Sequence, residues 1–386
     1  MRAKYILLFI ILACFSNCAS EYKMISFDGA TNIDVSSALS NKELTIDNLV
    51  NDIETIIPLQ TNQESMVSNI MDYFVTNEYI YINDLYQSGS VIIFDIKGNF
   101  VRRLKSGNGP GEINHVHKIF YDYENDNLYT MDFARFNKYS KDGSFIDSYP
   151  MFDFTTDDIA KVQGGFLTAR RRFDNKAFDI KRFDDNFKEL SEVYMPKLTQ
   201  ELPRKITRGF NGMYWIIRTL DNNLYIYNGD SVRTIYHLNF PEYEYNAKTE
   251  YYGPQYAQYY FELIRNIDNG KYIFDCSIFC ESKDYLMFRL MSSDGFKNIL
   301  FNKRTNNSLS IEHQEGSLFS LVNNQKSYYK GNSFYGMILP ENFVTVWKGT
   351  NSNNILSDKD MDILNNIKEE DNPLIVIFNL KDEINR

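Results

Sequence analysis

The chain is short of the residue types that build metal and redox sites. Its 386 residues include only 4 Cys and 4 His. His237 and His313 stand alone, and no second Cys or His pair lies near Cys276 and Cys280 in sequence. A zinc cluster is therefore not expected, and no metal or cofactor is assigned. Long apolar runs are also missing. Beyond the first residues no segment reaches the ~18 consecutive apolar positions that a spanning helix needs. There is no block of basic residues. With 41 Lys and Arg against 51 Asp and Glu the formal charge is −10, which repels phosphate backbones and excludes nucleic acid as a partner. The nearest approach to a basic patch is "ARRRF" (169–173), whose arginines would point to alternate faces of a strand. Neither a G-x-S-x-G elbow nor an H-E-x-x-H helix occurs.

What the chain does have is aromatic and apolar surface. Aromatics make up 15% of it, supplied by 28 Tyr and 29 Phe, and these residues favour half-buried sheets. Apolar residues reach 43%, enough for a sizeable core. The start, "MRAKYILLFIILACFSNCAS", places Arg2 and Lys4 before an apolar run from Ile6 to Leu12, then small residues and cysteines. This is the pattern of a secretory signal over residues 1–18, too short to span a bilayer. "ILAC", ending at Cys14, resembles the bacterial lipobox. "FSNC", ending at Cys18, fits that pattern less well but leaves a more usual signal length. Lipidation is expected at Cys14 or Cys18, and the membrane is contacted through that anchor only. Ordinary cleavage without a lipid is the alternative. Cys276 and Cys280 lie four residues apart, roughly 13 Å along a straight strand, so a disulfide would need a turn between them.

A repeat runs through the rest. "VIIFDIKGNFVRRL", "FNKYSKDGSFIDSY", "DIKRFDDNFKELSEVY", "LYIYNGDSVRTIYHL" and "FRLMSSDGFKNILF" each read as strand, tight turn, strand. Their turns centre on Gly98, Gly143, Asn186, Gly229 and Gly295, at intervals of 45, 43, 43 and 66 residues. A period of ~40–45 residues of short strands is the signature of a β-propeller. "VHKIFYDYENDNLYTMDF", "IAKVQGGFLTARRRF", "ITRGFNGMYWIIRTL" and "LIRNIDNGKYIFDCS" supply further strand pairs. The expected fold is all-β: one six-bladed propeller of four-stranded antiparallel blades over residues 22–386. Its ring should close by joining "YKMISFDG" and "DIETIIPL" to "SFYGMILP", "FVTVWKG" and "PLIVIFNL". "SDKDMDILNNIKEED" reads as a short helix capped by Ser357 or Asp358.

The segment "FDIKGNFVRRLKSGNGPGEINHVHKIFYD" resembles the six-bladed propeller lipoproteins of Bacteroides-like bacteria, which in turn resemble NHL-repeat propellers. The likeness is specific over Phe94 to Asp122 and elsewhere rests on spacing. The other blades lack the glycine-rich connector. The resemblance implies an exported propeller in the bacterial cell envelope, either periplasmic or surface-exposed on the outer membrane. It implies no reaction.

"SGNGPGE" (Ser106–Glu112) is not a phosphate loop. Glu112 stands where a cation would be needed, and a strand rather than a helix follows. It reads as a connector between blades. His115 and His117 in "NHVHK" would share one face of a strand, as some metal sites require, but no third ligand is evident. The insertion Pro241–Leu263 is crowded with tyrosines, whose flat faces and hydroxyls suit sugar or peptide binding. Packing of Tyr256, Tyr260 and Leu263 from a short helix also accounts for part of it. Tyr245, Tyr251 and Tyr252 are the expected ligand contacts, with Trp215 and Arg218 on the neighbouring blade. Paired acids at 157–158 and 184–185 are read as solvated loop residues. Two functions follow: a binding or scaffold module for a glycan, peptide or envelope protein, or a glycan lyase or hydrolase working at the channel mouth. A carboxylate, an Arg and a Tyr converging at one mouth would favour the enzyme.

Overall fold

Strands form where β-branched and aromatic residues run between Gly, Asn and Asp turns, as in "YIYIND" and "SVIIFD". These two strands are buried on both faces, because each sheet is sandwiched between two neighbours. The computed structural model describes residues 23–24, 29–40, 44–84, 89–132, 135–150, 156–170, 178–194, 204–219, 221–229, 231–243, 265, 272–292, 295–312, 318, 322–327, 333–346 and 356–381.

Four strands come first: β1 (Lys23–Met24), β2 (Thr31–Asp34), β3 (Leu44–Thr45) and β4 (Val50–Pro58), with helices α1 (Val35–Ser40) and α2 (Ile46–Leu49) among them. Blade 1 is β5 (Ile70–Val75), β6 (Tyr79–Asp84), β7 (Ser90–Asp95) and β8 (Phe100–Arg103). Blade 2 is β9 (Lys118–Asp122), β10 (Asn127–Met131), β11 (Arg135–Ser140) and β12 (Phe145–Pro150). Blade 3 is β13 (Thr156–Val162), β14 (Gly165–Arg170), β15 (Phe178–Phe183) and β16 (Glu189–Tyr194). Blade 4 is β17 (Arg204–Arg208), β18 (Tyr214–Arg218), β19 (Asn223–Tyr227) and β20 (Val232–Asn239). Blade 5 is β21 (Ile273–Glu281), β22 (Tyr285–Ser292), β23 (Gly295–Asn302) and β24 (Asn307–Glu312). Blade 6 joins β25 (Val322–Ser327), β26 (Ser333–Ile338) and β27 (Leu374–Leu380) to β4, so both ends of the chain close the ring. Helices α3 (Pro340–Val346) and α4 (Asp358–Asn366) lie between β26 and β27.

The result is a six-bladed β-propeller. Its buried side chains form six apolar clusters, one between each pair of adjacent blades, such as Phe120, Phe136 and Phe166 between blades 2 and 3. Strands β1, β2 and β3 each add a parallel fifth strand to the outer edge of blades 3, 4 and 5, covering backbone that would otherwise be open to pairing.

Several expectations are corrected. The hairpin at Gly295 joins the second and third strands of blade 5, whereas the other four hairpins join third and fourth. All these turns share the same chemistry, so the turn residues alone do not report the position in a blade. "LIRNIDNGKYIFDCS" does not hold two strands of blade 5: its innermost strand begins at Ile273, and residues 266–271 lie outside the described ones. "YKMISFDG" does not close the ring; its Lys23–Met24 pairs with blade 3. "FVTVWKG" begins inside α3, and the innermost strand of the closing blade is β25. Helix α4 forms where expected, with Ser357 and Asp360 in a reciprocal capping box.

Candidate functional site

The innermost strands of the blades line a central channel holding a cavity of about 420 Å³. Successive blades repeat the same antiparallel order, so these strands all run the same way. Residues near their starts gather at one end of the channel, and residues near their ends at the other. Among the described residues the starting end carries Asp72 of blade 1, Lys118 of blade 2, Asp158 of blade 3, Lys205 of blade 4 and Asp275 of blade 5. The signs alternate from blade 1 to blade 5. Lys118 Nζ lies 2.5 Å from Asp158 Oδ1, and Lys205 Nζ lies 3.0 Å from Asp275 Oδ2. Burial alone would lower the Lys118 pKa, but Asp158 and Asp72 outweigh it and hold the ammonium above its ordinary value.

The other end is aromatic. Phe74 stacks on Tyr81, Tyr81 tilts against Tyr121, and Tyr121 meets Tyr123 edge-on at 5.1 Å. Tyr123 of blade 2 then reaches Arg208 of blade 4, whose guanidinium carbon stands 4.2 Å over its ring. Arg208 also hydrogen-bonds Tyr214, whose hydroxyl donates to the Lys161 carbonyl. Burial pushes the Tyr214 phenol up to about 12, with Arg208 opposing.

The carboxylates of the wall are engaged. Glu281 Oε2 accepts from Trp215 Nε1 and from the Phe210 amide, each at 2.7 Å, and Oε1 takes Lys303 Nζ at 2.6 Å. Asp158 Oδ1 accepts from Lys118 and from the Ile159 amide, and Oδ2 from the Ile206 amide at 2.8 Å. Lys161, 6% exposed, lies 3.1 Å from Asp185 and 3.7 Å from Asp122.

Asp158 therefore corrects the reading of the acid pair at 157–158 as loop residues: it sits on β13, buried in the channel wall. The sequence does carry a signal for this ring. In blades 1 to 5 the innermost strand carries a charged residue within its first three positions, and the sign alternates from blade to blade, whereas β25 of blade 6 opens Val-Asn-Asn.

The other candidates fall elsewhere. Tyr245, Tyr251 and Tyr252 lie outside the described residues, as does the insertion beyond Tyr243. Trp215 and Arg218 are interior, at 2% and 3% exposure. Trp215 reaches the channel only through Glu281, and Arg218 pairs with Asp221 at 3.3 Å. His115 has a φ of 52° in the loop before β9 rather than a place on a strand, so the histidines do not share a strand face. Burial lowers the His117 pKa, against the pull of Asp132 and Asp158. Among the described residues no cluster of His, Cys, Asp and Glu could hold a metal.

Cys276 and Cys280 are free thiols on one strand, with no turn between them. A bulge between Ile278 and Cys280 reverses the alternation, so Cys276 packs toward blade 4 and Cys280 toward blade 6. Burial raises both pKa values.

"SGNGPGE" is the connector from β8 to β9. Glu112 turns back to accept from the Gly109 amide at 2.8 Å. The carbonyls of Gly107, Asn108, Gly109 and Glu112 converge on the Arg135 guanidinium. A phosphate cradle presents amides, and this loop presents carbonyls to a cation.

A crystal structure of a "Putative exported protein" from Bacteroides fragilis matches with a TM-score of 0.69 at 17% identity, covering 93% of this chain and all 100% of that one. A structure of U3-55K matches with a TM-score of 0.42 at 11% identity, over 85% of this chain and 100% of that one. No curated protein matches the sequence. No described helix is long and apolar enough to cross a membrane. A family model spans residues 30–379, the whole ring from β2 to β27, and the chain belongs to that family, Domain of unknown function (DUF4934).

Proposed function

We propose that this propeller is an exported, lipid-anchored binding module that takes a glycan at the aromatic end of its channel. The observation that supports this best is the set of Tyr123, Arg208 and Tyr214 bordering a cavity of about 420 Å³. That volume is within the ~300–1,000 Å³ common for small-ligand sites. Phenol rings offer flat faces to pyranose rings, and the guanidinium fixes orientation. The likeness to an exported Bacteroides propeller supports export. The N-terminal signal supports an acyl chain on Cys14 or Cys18, and the NHL-like character rests on the repeat spacing. The tyrosine-rich insertion leaves after β20 and returns before β21, on the side where innermost strands begin. There Tyr245, Tyr251 and Tyr252 would serve the opposite opening.

A second reading is a glycan lyase or hydrolase. Arg208, Tyr214 and Glu281 share one end of the channel, the convergence that reading asks for. Against it, Glu281 and Asp158 already accept hydrogen bonds at both oxygens, and a phenol near 12 is a poor base at neutral pH.

Glycan-array binding by the mature domain, followed by assay of each hit for new reducing ends or unsaturated products, tests both readings. Retained, uncleaved glycan is expected. Turnover would replace the binding reading with the enzymatic one, and an empty array would remove both. Metabolic palmitate labelling of wild type, Cys14→Ser and Cys18→Ser tests the anchor: one substitution should abolish the label.

A further inference from the structure

We infer that the propeller lays the outer rim of blades 1 to 3 on a lipid bilayer, and that Val101, Ile146 and Leu190 are the side chains that enter it. The inference rests on the lipid-anchor reading above and goes further in naming the face that the anchor holds against the membrane.

The three residues hold one structural position. In the outermost strand of each of these blades a bulge leaves one residue unopposed by the neighbouring strand. Val101 is that residue between the pairs Phe94–Phe100 and Ile93–Arg102, Ile146 between Tyr139–Phe145 and Lys138–Asp147, and Leu190 between Phe183–Glu189 and Arg182–Ser191. They are 38%, 50% and 54% exposed, and Phe145 beside Ile146 is 41% exposed. Edge strands ordinarily carry charge at such places. The next blades differ. Ile235, at the bulge of blade 4, packs into the apolar cluster shared with blade 5. Blade 5 has no bulge in this pairing, and its Ser308 to Ile311 are buried.

Equivalent positions on successive blades lie in one plane across the ring. The hairpins that open these outermost strands stand at the end where the innermost strands finish. A flat surface approaching that end therefore meets all three side chains together. Contact on one half of the ring tilts it, and the aromatic opening at this end stays reachable from the side of blades 4 to 6.

The N-terminal strand argues for a bilayer as that surface. β1 runs parallel to β16, with Lys23 opposite Val193. The chain thus enters β1 from the direction of Leu190, which precedes Val193 by about 10 Å along the strand. Cys18 is five residues before Lys23 and Cys14 is nine, so an acyl chain on either is held within roughly 18 or 32 Å of it. The apolar rim begins at the root of that tether. Arg102, Asp147, Lys188 and Glu189 flank the three side chains with mixed signs, so the attraction is apolar rather than electrostatic.

The test is nitroxide labelling of the lipidated protein in vesicles of phosphatidylcholine alone and of phosphatidylethanolamine with phosphatidylglycerol. Labels are placed through Val101→Cys, Ile146→Cys, Leu190→Cys and, at the opposite end of the ring, Phe296→Cys. Cys276 and Cys280 are buried, and wild type put through the same labelling sets the blank. At the three rim positions, collisions with a water-soluble nickel chelate should fall about fivefold or more on the vesicle, as entry into the acyl boundary requires, while the Phe296→Cys label stays accessible. The shielding should be the same in both lipid mixtures. A triple variant, Val101→Glu with Ile146→Glu and Leu190→Glu, should transfer between vesicles at least about tenfold faster than wild type, with thermal unfolding unchanged. Rim labels as accessible as the one at Phe296→Cys, or a triple variant that transfers at the wild-type rate, overturns the inference while leaving the anchor standing. Shielding confined to the anionic vesicles overturns it in favour of charge attraction, and shielding that grows with protein density on the vesicle overturns it in favour of a second copy. Wild type that does not float with vesicles overturns the anchor reading and the inference together.

Discussion

Lys118 Nζ and Asp158 Oδ1 lie 2.5 Å apart, and the same carboxylate accepts from the Ile206 amide through its other oxygen. One acid therefore ties blades 2, 3 and 4 together at the channel. Asp158→Asn replaces one acceptor oxygen with an NH₂ group that must face Lys118 or an amide donor. A loss of about 3 kcal/mol is expected, since removing one partner of a buried pair leaves the other uncompensated. Lys118→Met should cost less, because Asp158 keeps both backbone donors. Denaturant unfolding of the single and double variants measures both and their coupling. The Lys118 pKa is raised in the fold, so its contribution is complete below the unfolded value of ~10.4 and fades as pH rises through the folded one.

His117 gives a second pH dependence, of opposite sense. Burial lowers its pKa, so between the folded value and the unfolded ~6.5 the unfolded chain binds more protons. Stability should rise with pH through that window and fall as the solution is acidified from neutral. His117→Gln should flatten the unfolding midpoint between about pH 7 and 5, above the range where ordinary carboxylates titrate. An unchanged slope in the variant would assign the dependence to other groups.

Phe187 occupies the position that Gly98 and Gly143 hold in the outer hairpins of blades 1 and 2, and it keeps their left-handed backbone at a φ of 61°. The residue is strained there, yet its ring stacks on Phe166 at 4.5 Å and on Phe136 at 5.6 Å. Packing between blades 2 and 3 offsets the backbone cost. Phe187→Ala loses the stack and keeps the strain, for about 3 kcal/mol. Phe187→Gly loses the stack but relieves the strain, and should be the more stable variant by roughly 1 kcal/mol. Equal midpoints for the two in guanidinium would show that the backbone there is not strained.

Such details mark where the sequence is legible. Blade number and the strands of blades 2 to 4 follow from period-two patterns and turn residues, which are local. The third-to-fourth hairpin of blade 3 is readable from Asp184, whose carboxylate accepts from the Asn186 and Lys188 amides, but the left-handed residue is the phenylalanine beside Asn186. Blade 5 is misregistered because "SSDG" looks like every other turn, and only strand pairing tells the second-to-third hairpin from the third-to-fourth. The N-terminal strands on blades 3, 4 and 5 have two to four residues each and carry no pattern of their own; their partners lie more than 160 positions away. The channel ring is visible as alternating charges at strand starts, yet ion pairs such as Lys205–Asp275, 70 residues apart, exist only once the ring closes.

Gly209 is required by closeness rather than by backbone conformation. Its φ of −93° suits any residue, but a Cβ would stand 2.6 Å from Glu281 Oε2 and 2.7 Å from Trp215 Nε1. Those two atoms form the hydrogen bond that holds Glu281 against the channel wall. Gly209→Ala must push the carboxylate or the indole aside, an overpacking cost of about 1–3 kcal/mol. Trp215→Phe removes the indole donor while leaving Glu281 its Phe210 amide and Lys303, and should cost about 1–3 kcal/mol for the lost hydrogen bond and lost volume. In the double variant the added methyl group meets no indole nitrogen, so the two losses should sum to more than the measured total by at least about 0.5 kcal/mol. Because Glu281 borders the ligand cavity, Gly209→Ala should also weaken glycan binding, whereas Phe187→Gly, remote from the cavity lining, should not. Strict additivity in denaturant unfolding, with binding unaffected by Gly209→Ala, would mean that the Trp215–Glu281 contact does not shape the channel wall.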